Sequence, residues 1–132
     1  MLALLASVAG LAISVYLTVV HLSTIPLACP ANAVVNCEQV LTSRYAVIAG
    51  SALPTSAAGI VWFTISGGLA LFRLRRALLA WASIGLVTAL FLVYVEIVQL
   101  GAVCIWCTAA HAMVLLIFLV ALTRSEGDRV ST

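Results

Sequence analysis

The chain has 132 residues, 65% of them hydrophobic and only 8% charged. A soluble domain carries about a quarter charged residues, so this composition excludes a water-dispersed globule and points to an integral membrane protein. Lysine is absent, and a net charge of +2 on scattered arginines offers no footprint for nucleic acid.

A spanning helix needs about 20 apolar residues, and four windows meet that length. The first covers 1–22, "MLALLASVAGLAISVYLTVVHL". It has no basic start and its apolar run is too long for a cleavable signal, so it is read as a retained span. Residues 23–53 form the one sizeable loop, with "CPANAVVNC" from Cys29 to Cys37 and then "CEQVLTSRY", suited to a short helix on the bundle surface. Pro30, Asn32 and Asn36 are turn formers, and the Cys29–Cys37 segment is expected to be free to move. The second window, 54–72, opens on Pro54, which a first helical turn tolerates. "RLRR" separates it from the third, 77–98, and a turn of about five residues leads to the fourth, 104–122, which opens on "CIWC". A tail, 123–132, follows. The expected fold class is all-α: one membrane domain over 1–132, a four-transmembrane-helix bundle whose long outer loop between helices 1 and 2 carries a short interfacial helix.

Small residues recur at four-residue spacing: Ala6, Gly10 and Ser14; Ser66 and Ala70; Gly85 and Ala89; Thr108 and Ala112. Such spacing predicts close helix contacts inside lipid. Arg73, Arg75 and Arg76 fill one turn, and Arg124 and Arg129 follow the last helix. The positive-inside rule then predicts a multi-pass protein of the cell (inner) membrane with both termini cytoplasmic. Only Arg44 lies on the other side. The long loop and the CIWC turn face the periplasm or exterior together, and with them all four cysteines.

Four cysteines on an oxidising side admit two structural disulfides, a zinc site or redox catalysis. Zinc favours two closely spaced pairs, whereas seven residues separate Cys29 from Cys37, so no metal is expected. Cys104 opens a helix, where unpaired backbone amides favour the thiolate that attacks in exchange, and Cys107 lies one turn deeper. Making a disulfide releases two electrons and two protons. With no dinucleotide, haem or flavin motif in the chain, a lipid-borne quinone, ubiquinone or menaquinone, is the expected acceptor. His111 shares a helix face with Cys104 and Cys107, placed to bond a quinone carbonyl or pass a proton. Cys29 and Cys37 read as a shuttle pair, with a fixed loop disulfide as the competing reading. Glu96 and Gln99 are read as snorkelling to the interface, Trp106 as part of an aromatic belt, Trp62 as packing and His21 as solvated. None of these five is expected to be catalytic.

The C-x7-C of the first outer loop, Ser43 six residues after its second cysteine, Gly59 in "PTSAAG" and CxxC opening the last helix together resemble the vitamin K epoxide reductase family. The resemblance covers essentially the entire chain. It implies a four-helix bundle with a quinone pocket beside CIWC and, for bacterial members, an oxidising role in disulfide formation. It implies that Cys107 contacts the quinone, that Cys104 exchanges with Cys37, and that Cys29 meets the redox partner. The quinone-binding set it implies is Cys107, His111, Ser43, Thr55, Ser56 and Gly59. The implied partner is a thioredoxin-fold (DsbA-like) extracytoplasmic protein, separate because "RSEGDRVST" ends the chain. The animal branch that reduces vitamin K epoxide has an asparagine near the start of helix two and a tyrosine four residues after CxxC. Here Thr55 or Ser56, and His111, take those places, which sets epoxide reduction below thiol oxidation as the expected activity. A membrane scaffold with inert disulfides is the alternative from another class.

Overall fold

The computed structural model describes residues 1–23 and 25–131; of the residues used above for orientation, the Arg129 side chain lies outside the described set. Among the described residues the chain is helical, with two isolated backbone bridges in place of strands. Helix α1 (Leu2–Leu22) is an alanine- and leucine-rich run that stops at the extended Ser23, three residues before Pro26. The short α2 (Cys37–Leu41) is started by Asn36, whose Oδ1 accepts the Gln39 N–H at 3.0 Å. Two 3-10 turns, Arg44–Ala46 and Ile48–Gly50, bring the chain to α3 (Thr55–Leu71). Pro54 stands just outside α3 in extended backbone rather than in its first turn. Helix α4 (Arg75–Tyr94) widens into a π-turn, Val95–Leu100, which Gly101 ends at φ 62°. Helix α5 (Ile105–Val130) continues eight residues past the end expected at 122. That expectation followed apolarity, but a helix leaving lipid needs only helix-compatible residues, and no proline interrupts "TRSEGDRV".

Three helical runs, Leu2–Leu22, Arg75–Leu100 and Ile105–Arg124, are long and apolar enough to cross a membrane. Helix α3 is apolar but shorter at 17 residues. Helix α1 packs between α3 and α5, and α5 packs on α4, while α3 and α4 meet sparsely.

Small residues decide these approaches. Ala6, Gly10 and Ser14 are buried on α1. The Phe63 ring occupies the space that a side chain on Gly10 would need, and the Trp62 indole does the same at Gly85. A Cβ on Gly59 would lie 2.7 Å from the Ser14 Oγ, so α1 and α3 touch nearly backbone to backbone there. Thr108 and Ala112 depart from the expectation: both lie on the exposed surface of α5 and make no such seam. Ala3, Ala6, Leu78, Ala82, Ile117 and Ala121 close the core at the end of the bundle nearer "RLRR". The cysteines gather at the opposite end.

Candidate functional site

Gly101 holds the left-handed conformation that lets the π-turn stop and the chain reverse, and the Ala102 N–H returns to the Glu96 carbonyl at 3.1 Å. Val103 then forms a parallel bridge with Val35. Its N–H donates to the Val34 carbonyl at 2.9 Å, and the Asn36 N–H donates to the Val103 carbonyl at 3.1 Å. The bridge precedes Cys104 by one residue and Cys37 by two, so it draws both cysteines to one place. Cys37 and Cys104, 1% and 0% exposed, are buried in one apolar cluster with Val40 and Ala102, and Cys29, Trp106 and Cys107 pack against it.

The four sulfurs are in two different states. Cys29 and Cys37 are joined by a disulfide with Cα atoms 6.3 Å apart, whereas Cys104 and Cys107 carry free thiols. Cys29 is half-buried and Cys37 fully buried, so Cys29 is the more accessible of the pair. Cys104 is the N-cap of α5, and its sulfur accepts the Cys107 N–H at 3.3 Å. A sulfur that receives a helix's unpaired amide is better stabilised as thiolate than as thiol.

The chain is tied down at Ala28, immediately before Cys29, and turned on itself after it. The Ala28 N–H donates to the Tyr16 hydroxyl at 3.2 Å, and the Trp106 Nε1–H donates to the Ala28 carbonyl at 2.9 Å. The Tyr16 and Trp106 rings lie 4.8 Å apart, completing the clamp. Further on, Asn32 Oδ1 accepts the N–H groups of Val34 and Val35 at 2.9 and 2.8 Å. Turn-forming residues spend their side chains here on fixing the turn. Trp106 is therefore more than a belt residue, and its bond to a position 78 residues away leaves no periodic trace in the sequence.

Beside the cluster lies a cavity of about 540 Å³, within the usual range of roughly 300–1,000 Å³ for small-molecule sites. Its wall is mostly apolar and includes Cys107, His111, Ser43, Thr55, Ser56 and Gly59, all named from the sequence, together with His21, Trp62, Trp81 and Glu96. His21 is half-buried, with part of its surface on the cavity wall. The hydroxyls are largely engaged. Ser43 donates to the Val40 carbonyl at 2.7 Å, Thr55 donates to the Tyr45 carbonyl at 2.8 Å, and Ser56 Oγ lies 2.8 Å from Thr18 Oγ1. Gly59 serves the α1–α3 contact. Two buried atoms of the wall have no hydrogen-bond partner among the described residues, Trp62 Nε1 and His111 Nδ1. Leaving such a group unpaired costs about 1–3 kcal/mol, which a flat apolar ligand bearing carbonyl oxygens would recover.

Glu96 departs from the snorkelling position expected of it. It is 5% exposed and turned inward, its Oε2 accepting the Cys104 N–H at 3.1 Å and its Oε1 standing 4.0 Å from His111 Nδ1. One signal was available: it is the only acidic residue in the 75–100 apolar span, and an ionisable group inside a span is expensive. No cluster of three or more metal-ligating side chains occurs among the described residues.

A helical membrane protein that packs a disulfide and a dithiol into one buried cluster is, as a class, a membrane redox protein. The chain matches the Vitamin K epoxide reductase family over residues 1–122 and belongs to that family, which makes it an oxidoreductase. Among curated proteins the chain has no match.

Proposed function

We propose that this protein is a quinone-linked thiol oxidase that makes disulfides and passes them to a thioredoxin-fold partner outside the cytoplasm. The observation that carries this reading is the joint burial of Cys37 and Cys104, with half-buried Cys29 packed on one side and Cys107 lining the cavity on the other. A thiolate of the reduced partner attacks Cys29 and displaces Cys37 as thiolate. The partner's second thiol then breaks the mixed disulfide, leaving the partner oxidised and Cys29 free. Cys37 passes the pair of electrons to an oxidised CIWC pair through Cys104, and the loop disulfide re-forms. Cys104 and Cys107 then hold two electrons and two protons as thiols, the state in which they stand here. A quinone, as substrate, supplies the two-electron sink. Trp62 Nε1 is an unpaired donor suited to one of its carbonyl oxygens, His111 lines the same cavity, and the sparse seam between α3 and α4 supports access from lipid.

In this reading all four long helices span the inner membrane, α3 at the short limit of about 17 residues. Arg73, Arg75 and Arg76 lie in the cytoplasm and the cysteines outside it. Epoxide reduction is the second reading, and His111 in place of the animal branch's tyrosine does not favour it.

The test uses the purified protein in lipid with a quinone analogue, reduced partner or a small dithiol, and quinone absorbance. Cys104→Ala or Cys107→Ala should reduce turnover to background. Cys29→Ala or Cys37→Ala should stop partner oxidation yet leave quinone reduction by the small dithiol. Undiminished partner oxidation by Cys107→Ala would end the mechanism.

A further inference from the structure

Exchange among the four sulfurs makes no use of Glu96, yet a buried acid in a membrane span is costly to keep. Its surroundings are specific. Oε2 holds the Cys104 amide, Oε1 stands 4.0 Å from an imidazole nitrogen that lacks a hydrogen-bond partner, and the π-turn at Val95–Leu100 carries the residue. Glu96, His111 and Cys107 line one cavity. Among the described residues, the other titratable groups on its wall are His21 from α1 and Tyr45 from the loop, with Cys104 in the adjoining cluster, and no arginine lines it.

We propose that Glu96 is the proton acceptor for the CIWC dithiol and that His111 carries the proton onward into the cavity. The proposal rests on the quinone-linked reading above and gives it a proton path. Closing the Cys104–Cys107 bond removes two electrons and two protons from two thiols. Both electrons go to a quinone, which becomes quinol only if two protons arrive as well. Solvent is remote from Cys104 and from Glu96, which are 0% and 5% exposed, while Cys107 is partly buried on the cavity wall. The Glu96 carboxylate takes a thiol proton, His111 takes it from Glu96 and releases it toward the acceptor, and a second passage completes the balance. In the oxidised protein both residues stand unprotonated again. In the reduced protein with no acceptor present, the thiol proton is shared with Glu96, so reduction alone raises its carboxyl protonation. The same carboxylate, while charged, opposes a neighbouring thiolate, and the thiol's own proton removes that opposition. Nucleophile formation and proton delivery are thereby coupled.

Glu96→Gln keeps an oxygen for the Cys104 amide but cannot accept a proton, whereas Glu96→Asp keeps the acid. The full chain in liposomes is measured in two ways. One is quinone-analogue reduction by a small dithiol across pH. The other is the infrared difference between the dithiothreitol-reduced and the oxidised protein, recorded without quinone, which reports a change in carboxyl protonation. E96Q should slow quinone reduction about 100-fold, remove the fall in rate on the acid side, and erase the carboxyl band. E96D should restore each in part. Wild-type turnover with an unchanged pH profile in E96Q, or no carboxyl band in the wild type, would overturn the proposal and leave Glu96 as a structural acceptor. A wild type that shows the band but reduces no quinone would sink the quinone-linked reading and leave the proton acceptor standing. Should E96Q fail to fold, the wild-type band and its displacement in E96D decide.

Discussion

The Trp106 indole reaches back 78 residues to the Ala28 carbonyl, while Tyr16 takes the amide of the same residue. Cys29 follows directly, so its position depends on a bond that Phe cannot make. Trp106→Phe should loosen the loop by about 1 kcal/mol, raising the KM for the proposed thioredoxin-fold partner several-fold with little change in turnover by a small dithiol. Steady-state kinetics with the two donors separates these effects. The unequal burial of the loop sulfurs gives a second expectation. After brief reduction, a polar alkylating reagent should modify Cys29 at least about tenfold faster than Cys37, because access limits thiol reactivity. Peptide mass spectrometry reads the ratio, and equal rates would contradict the assigned asymmetry. At this scale the cysteines were legible in the sequence because their spacing is itself the signal. Glu96 and Trp106 were not, because what defines each is a partner brought near by the turn at Gly101 and by the Val35–Val103 bridge.

Among the elements, the seams between helices follow small residues, but four-residue spacing alone does not say which face it lines. Gly10 meets Phe63, and Gly85 meets Trp62, whereas Thr108 and Ala112 carry the same spacing on the exposed face of α5. Gly10→Val should therefore cost about 1–3 kcal/mol by overpacking, and Thr108→Val should stay within about 0.5 kcal/mol. Thermal unfolding in detergent measures both, and equal losses would refute the packing account. Hydropathy located the apolar runs well and their ends poorly. It stopped α5 at 122 because apolarity ended there, while the backbone remains helical to Val130. It also gave no warning of the π-turn, since Val95–Leu100 reads as ordinary apolar helix.

For the molecule as a whole, composition made a helical membrane protein legible at once, because a chain with 8% charge has too little polar surface to face water. That all four sulfurs share one side was legible from the arginines, but the pairing of Cys37 with Cys104 was legible only through the family resemblance, since backbone bridging between a loop and a distant turn has no local pattern. Orientation is argued from arginine, and a cysteine introduced at Arg76 should react with a membrane-impermeant reagent only after the cytoplasmic face is opened. Labelling in intact cells would reverse the orientation. The central claim is that the loop pair and the CIWC pair exchange directly through Cys37 and Cys104. Its most direct test is the double variant Cys29→Ala, Cys107→Ala, purified from membranes under acid quenching and digested for mass spectrometry. The account predicts that the peptides bearing Cys37 and Cys104 are recovered joined by a disulfide. Recovery of both as separate, alkylated thiols would contradict it.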